Sequence, residues 1–135
     1  MVIKLDNKLI PWLDVLVCIQ FFAACRMLRW LLCSCQVFTI PVAPGDVLIA
    51  GTDGLFDNLY NNEITALVVQ AIRAGFSPQV TAQKIAALAR LRALDKDRQT
   101  PFSTAAQDAG FRYYGGKLDD TTVVVSFITS SGDDA

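Results

Sequence analysis

One short apolar run fixes more about this chain than any other feature. Val47-Leu48-Ile49-Ala50 reads as a buried strand, and it gives way at Gly51-Thr52 to a carboxylate in the step Asp53-Gly54. A second run, Thr121 to Ile128, is rich in β-branched residues and follows Gly115-Gly116-Lys117-Leu118-Asp119-Asp120. Two strands that carry carboxylates at one end of a sheet form a plausible metal site. Carboxylate oxygens suit hard divalent cations such as magnesium or manganese.

Composition narrows the chemistry. The chain has 135 residues, enough for one domain or part of one, and a formal net charge of −1. That charge gives no electrostatic case for nucleic acid or an anionic membrane as partner. There is no histidine. Histidine acid-base catalysis, the Ser-His-Asp triad and histidine-ligated zinc are therefore excluded. The cysteines (Cys18, Cys25, Cys33, Cys35) contain no Cys-x-x-Cys pair and read as reduced thiols.

The composition changes near Gln36. Residues 1–36 read as an apolar, helical segment, and residues 130–135 as a polar tail. The run Val15 to Cys25 invites a membrane reading, but a spanning helix needs about 20 residues, and Asp14, Arg26 and Arg29 bracket this one. The expectation is an intracellular protein of open compartment, with membrane attachment as a minor alternative.

From Val37 onward the signals are those of a globular α+β chain. Val37 to Val42 is expected to pair antiparallel with Val47 to Ala50 through an Ala43-Pro44-Gly45-Asp46 turn. Asn61 or Asn62 is expected to cap a helix with the face Ile64, Leu67, Val68, Ala71 and Ile72, ended by Gly75. Ser77-Pro78 opens another, packed through Ala82, Ile85, Ala86 and Ala89. A short helix is expected over Ser103 to Asp108. The strand from Thr121 is apolar on both faces and is expected to lie inside a sheet. Lys84, Arg90, Arg92, Lys96 and Arg98 read as a solvated helix face.

The order of these motifs resembles the metal-dependent protein phosphatases of type 2C. It runs from the Pro-Gly-Asp turn through Thr52-Asp53-Gly54-Leu55-Phe56-Asp57 and two helices to Gly116-Lys117-Leu118-Asp119-Asp120-Thr121-Thr122. The segment Pro101 to Lys117 is similar to the plant and mitochondrial-type branch. The resemblance covers residues 37–129 and implies a partial β-sandwich with helices on its outer faces. It implies a hydrolase that removes phosphate from phosphoserine or phosphothreonine proteins, using two Mn²⁺ or Mg²⁺ ions and a metal-bridging water. Asp53 and Asp119 match metal ligands of the family. Asp57 and Asp120 match residues with structural or supporting roles, and Gly54 matches a glycine that lets backbone approach the metal's water shell.

The family's glycine-rich Asp-Gly motif, whose aspartate bridges both metals, has no counterpart upstream of Asp53. Two carboxylates without that bridge bind metal weakly. The chain is thus expected to be a truncated phosphatase with little activity alone. The alternatives are a non-catalytic interaction or decoy fragment, and a small membrane-attached protein.

Overall fold

The computed structural model describes the backbone of Val2–Leu5 and Leu16–Gln20, and residues 41–130 in full. Eight elements follow in order: β1 (Val2–Leu5), β2 (Leu16–Gln20), β3 (Val47–Gly51), α1 (Asp53–Phe56), α2 (Asn61–Arg73), α3 (Pro78–Leu94), α4 (Pro101–Asp108) and β4 (Val123–Phe127). The strands form one sheet in the order β1-β2-β3-β4. The β1/β2 and β3/β4 pairs are antiparallel and β2/β3 is parallel. This is a partial α+β architecture, as expected.

Three expectations about the strands are corrected. Within the apolar N-terminal segment, residues Leu16–Gln20 are a strand rather than helix. A five-residue apolar run fits either element by periodicity, and here β3 supplies a pairing edge. The expected hairpin of Val37–Val42 with Val47–Ala50 is absent from its described part, since Pro41 to Ala43 carry no strand. Both edges of β3 are already taken, by β2 and β4. Residues 37–40 and the boundary at 36/37 lie outside the described residues. Finally, β4 is terminal in the described sheet rather than internal. Val125 faces the core, whereas Val124 points outward and is 55 % exposed.

The turn at the far end of β3 forms as expected. Asp46 N–H donates to Ala43 O at 3.0 Å, and the buried Asp46 carboxylate accepts from Ala43 N–H at 2.7 Å. The core lies between the sheet and the helices, where Ile49, Leu55, Ile64, Val68 and Ile85 are fully buried. Burying each such side chain stabilises the fold by about 1.5–3 kcal/mol.

The helices follow their cap signals with local shifts. Tyr60, rather than Asn61 or Asn62, is the N-cap of α2, because Glu63 reaches back to accept from Tyr60 N–H at 3.1 Å. Ser77 caps α3 with Pro78 in its first turn. The buried stripe of α3 is Thr81, Ile85, Ala89 and Ala93, with Ala82 and Ala86 only half-buried. Helix α4 begins earlier than expected, at Pro101, because Thr100 and Ser103 exchange backbone and side-chain bonds across its first turn. In the basic group, Lys84, Arg90, Lys96 and Arg98 are exposed. Arg92 is instead half-buried and pairs with Glu63 at 3.0 Å. Among the described residues no helix is long and apolar enough to cross a membrane.

Candidate functional site

The register of β3 against β4 sets the site. Gly51 lies opposite Val123, so the loops leaving this end of the two strands run side by side. Thr52 latches them together. Its N–H donates to Thr122 O at 3.1 Å, its hydroxyl donates to Asp120 O at 2.9 Å, and the same oxygen accepts from Thr122 N–H at 3.0 Å. Thr52 thus stands at the N-cap of α1 without capping it, since its hydroxyl serves the neighbouring loop.

Gly54 is needed at this contact. A Cβ there would lie 2.5 Å from Asp120 O, an approach no real Cβ makes. The glycine therefore admits the backbone of the second acidic loop, where the sequence had suggested the water shell of a metal. Its own N–H donates to Asp53 Oδ1 at 3.0 Å, which orients that carboxylate.

Asn58 fixes the other side. It is 1 % exposed, and its amide donates to Gly54 O at 2.9 Å and to Lys117 O at 2.8 Å. Its carbonyl oxygen accepts from Lys117 N–H at 2.9 Å. All three bonds satisfy polar groups that burial would otherwise penalise. They pin the backbone of residue 117 to the turn that carries Asp53 and Asp57.

The Lys117 side chain then reaches into the acidic group. Its ammonium lies 2.8 Å from Asp57 Oδ2, 3.3 Å from Asp119 Oδ2 and 3.9 Å from Asp53 Oδ2. It also stands 5.0 Å from the centroid of the Phe102 ring, a cation–π distance. Tyr113 packs edge-on against that ring at 5.0 Å. Helix α4 thereby lines the lysine's path. The bond to Asp57 is the main cause holding the Lys117 ammonium above the ordinary lysine value. Asp119 is held below the usual carboxylate range, first by the N–H of Asp120, which donates to Asp119 Oδ1 at 2.9 Å, and then by Lys117.

Each of the sequence-derived site residues sits at this one end of the sheet. Asp53 and Asp119 converge on a single ammonium. Asp57, expected to be structural, joins them through its carboxylate, which takes the shortest of the three contacts to the ammonium. Asp120 is exposed and contributes its backbone, donating to Asp119 and accepting from Thr52. Lys117, Asn58 and Thr52 had no role assigned from sequence. Lys117 carried a signal, a lone cation between a Gly-Gly pair and an acidic pair. The roles of Asn58 and Thr52 come from contacts to residues far along the chain and left no local mark.

The donor chemistry here is carboxylate oxygen, which fits Mn²⁺ or Mg²⁺. The set is partial. Among the described residues no group of three or more acidic, cysteine or histidine side chains is arranged to hold an ion. Asp53, Asp57 and Asp119 surround an ammonium instead. Cys25, Cys33 and Cys35 lie outside the described residues.

No family model matches the chain. Over 98 residues, 73 % of this chain, it is 82 % identical to probable protein phosphatase 2C 55 of Arabidopsis thaliana. Over the same length it is 69 % identical to probable protein phosphatase 2C 80 of that plant. It is 42 % identical over 97 residues to probable protein phosphatase 2C BIPP2C1 of Oryza sativa subsp. japonica. The fold is similar to the X-ray structure of the photosystem II phosphatase PBCP, with a TM-score of 0.60 and 31 % identity, covering 70 % of this chain and 40 % of that one. The matched part of the chain therefore belongs to the protein phosphatase 2C family and corresponds to its C-terminal region. It spans only 21 % and 24 % of the length of the two Arabidopsis relatives.

Proposed function

We propose that this chain carries part of the centre of a metal-dependent serine/threonine phosphatase, with Asp53 and Asp119 as ligands for Mn²⁺ or Mg²⁺. The observation that carries the reading is the convergence of two carboxylates, remote in sequence, on one point at the mouth of the β3/β4 pair. When bound, the ions supply an activated water and neutralise charge on the phosphoryl oxygens of a phosphoserine or phosphothreonine protein.

The chain's own residues orient the donors. Gly54 N–H turns the Asp53 carboxylate and Asp120 N–H turns that of Asp119, each through one oxygen, leaving the other oxygen directed toward the shared point. Thr52 holds the two loops in register, and Asn58 holds the base of Lys117. A complete two-ion centre needs more ligands than these two aspartates, and the described residues do not supply them. By itself the 135-residue chain is thus expected to hydrolyse phosphoesters little or not at all.

Calorimetric titration with Mn²⁺ tests the metal reading. Weak binding that Asp53→Ala and Asp119→Ala both remove is expected. Binding that neither substitution changes would overturn it. Manganese-dependent cleavage of a phosphopeptide by the chain, lost in Asp53→Ala, would refute the expected inactivity.

A further inference from the structure

We propose that Lys117 is a tethered counter-ion that competes with the divalent cation for Asp53 and Asp119 while remaining anchored on Asp57. The inference rests on the reading of Asp53 and Asp119 as metal ligands, and adds a residue that sets how tightly the site takes its ion.

The three distances grade the role. The ammonium is closest to Asp57, at 2.8 Å, a charge-assisted hydrogen bond. It stands farther from Asp119, at 3.3 Å, and farthest from Asp53, at 3.9 Å. The two proposed ligands are therefore held at longer range than the residue proposed to keep the lysine. Asn58 clamps the backbone N–H and C=O of Lys117, and the Phe102 ring lies beside the ammonium. These contacts restrain a normally flexible side chain to the vicinity of the acidic group.

Three carboxylates this close repel one another, and a nearby cation offsets that repulsion. A divalent ion arriving between Asp53 and Asp119 would meet a positive charge a few ångströms away. Such an ion binds against Lys117, which gives up its two longer contacts and keeps its shortest. A lysine that only buttressed the loop would have the opposite consequence, because its loss would loosen the ligands and weaken binding.

Mn²⁺ titration of the full chain separates these cases. Lys117→Met keeps an unbranched apolar stem and removes the charge. It is expected to bind Mn²⁺ at least about fivefold more tightly than the parent, by removal of like-charge repulsion. Lys117→Arg retains the charge and is expected to bind as the parent does. Asp57→Asn frees the ammonium from its anchor and is expected to weaken binding. In the double variant with Lys117→Met, that weakening should largely disappear. Equal or weaker binding by Lys117→Met, in a chain whose binding still depends on Asp53, overturns the counter-ion role and leaves the metal reading standing. Binding that ignores Asp53→Ala in both backgrounds, or no binding in either, removes both. Thermal unfolding without added metal gives an independent readout. Lys117→Met should lower the midpoint, and the loss should shrink in the Asp57→Asn background.

Discussion

The two ends of the β3/β4 ladder handle their aspartates in opposite ways. At one end Asp46 is 4 % exposed, and its carboxylate accepts from Ala43 N–H within the turn. Around it, Gly45 N–H donates to Ile128 O and Ile128 N–H donates to Asp46 O, so the backbone closes on itself. At the other end Asp53 and Asp119 remain 48 % and 36 % exposed at the side chain, and their shared partner is a lysine ammonium. An aspartate that satisfies a turn is consumed by the fold. An aspartate held at the surface by a single backbone donor, facing another of its kind, keeps an oxygen available for a ligand. Both ends begin with a glycine, an aspartate and a strand, so residue type alone does not separate them.

The sharpest break in this comparison comes from the glycines. Gly54→Ala forces a Cβ against the Asp120 carbonyl, and overpacking of this kind costs about 1–3 kcal/mol, with separation of the two acidic loops. Gly45→Ala meets no atom within 4 Å and pays only for its positive φ of 96°, about 1 kcal/mol. Urea unfolding should rank Gly54→Ala as the more destabilised. Mn²⁺ binding should be lost in that variant alone.

A second contrast sets Asn58 against Asp46, the two buried polar side chains that organise the respective ends. Asn58→Ala strands the Lys117 amide and two carbonyls, and a deleted buried partner of this type costs about 1–3 kcal/mol. Asp46→Ala removes one bond, from the N–H of the exposed Ala43, and should fall near the low end of that range. Only Asn58→Ala should alter metal affinity, because only it releases residue 117.

The smallest effect is on pH dependence. Asp119 sits below the ordinary carboxylate value of 3.8, so its stabilising contribution is present above that value and fades as pH falls through its lower folded value. Lys117 sits above 10.5, so its contribution holds below that value and fades as pH rises through its raised one. Both side chains are partly exposed, and solvent screening keeps each contribution small. The unfolding midpoint of the parent should exceed that of Asp119→Asn at neutral pH and converge with it in strong acid. A constant offset down to low pH would show that the charge on Asp119, held by the Asp120 N–H and by Lys117, does not contribute to stability.

Local pattern carried part of the architecture. The apolar run of β3, the cap pair Ser77-Pro78 and the stop at Gly75 all act over a few residues, so their physics is written in adjacent positions. Partner choice is not local. Residues 16–20 suit helix or strand until β3 offers an edge, and β3 has only two edges to offer. The acidic motifs at Asp53 and Asp119 were likewise visible in the chain as written, because each stands a few residues from a strand that the apolar pattern marks.

The amino-acid order alone picked out Asp53 and Asp119 as candidates and hard divalent cations as the ions they would suit, since oxygen donors and the lack of histidine are properties of composition. Folding settled what faces them. The β3/β4 register brings residues 52 and 122 together, Asn58 clamps residue 117, and a lysine given no role from sequence becomes the shared partner of three carboxylates. Charge interactions act through space over a few ångströms, and no spacing along a chain records a distance closed by a sheet.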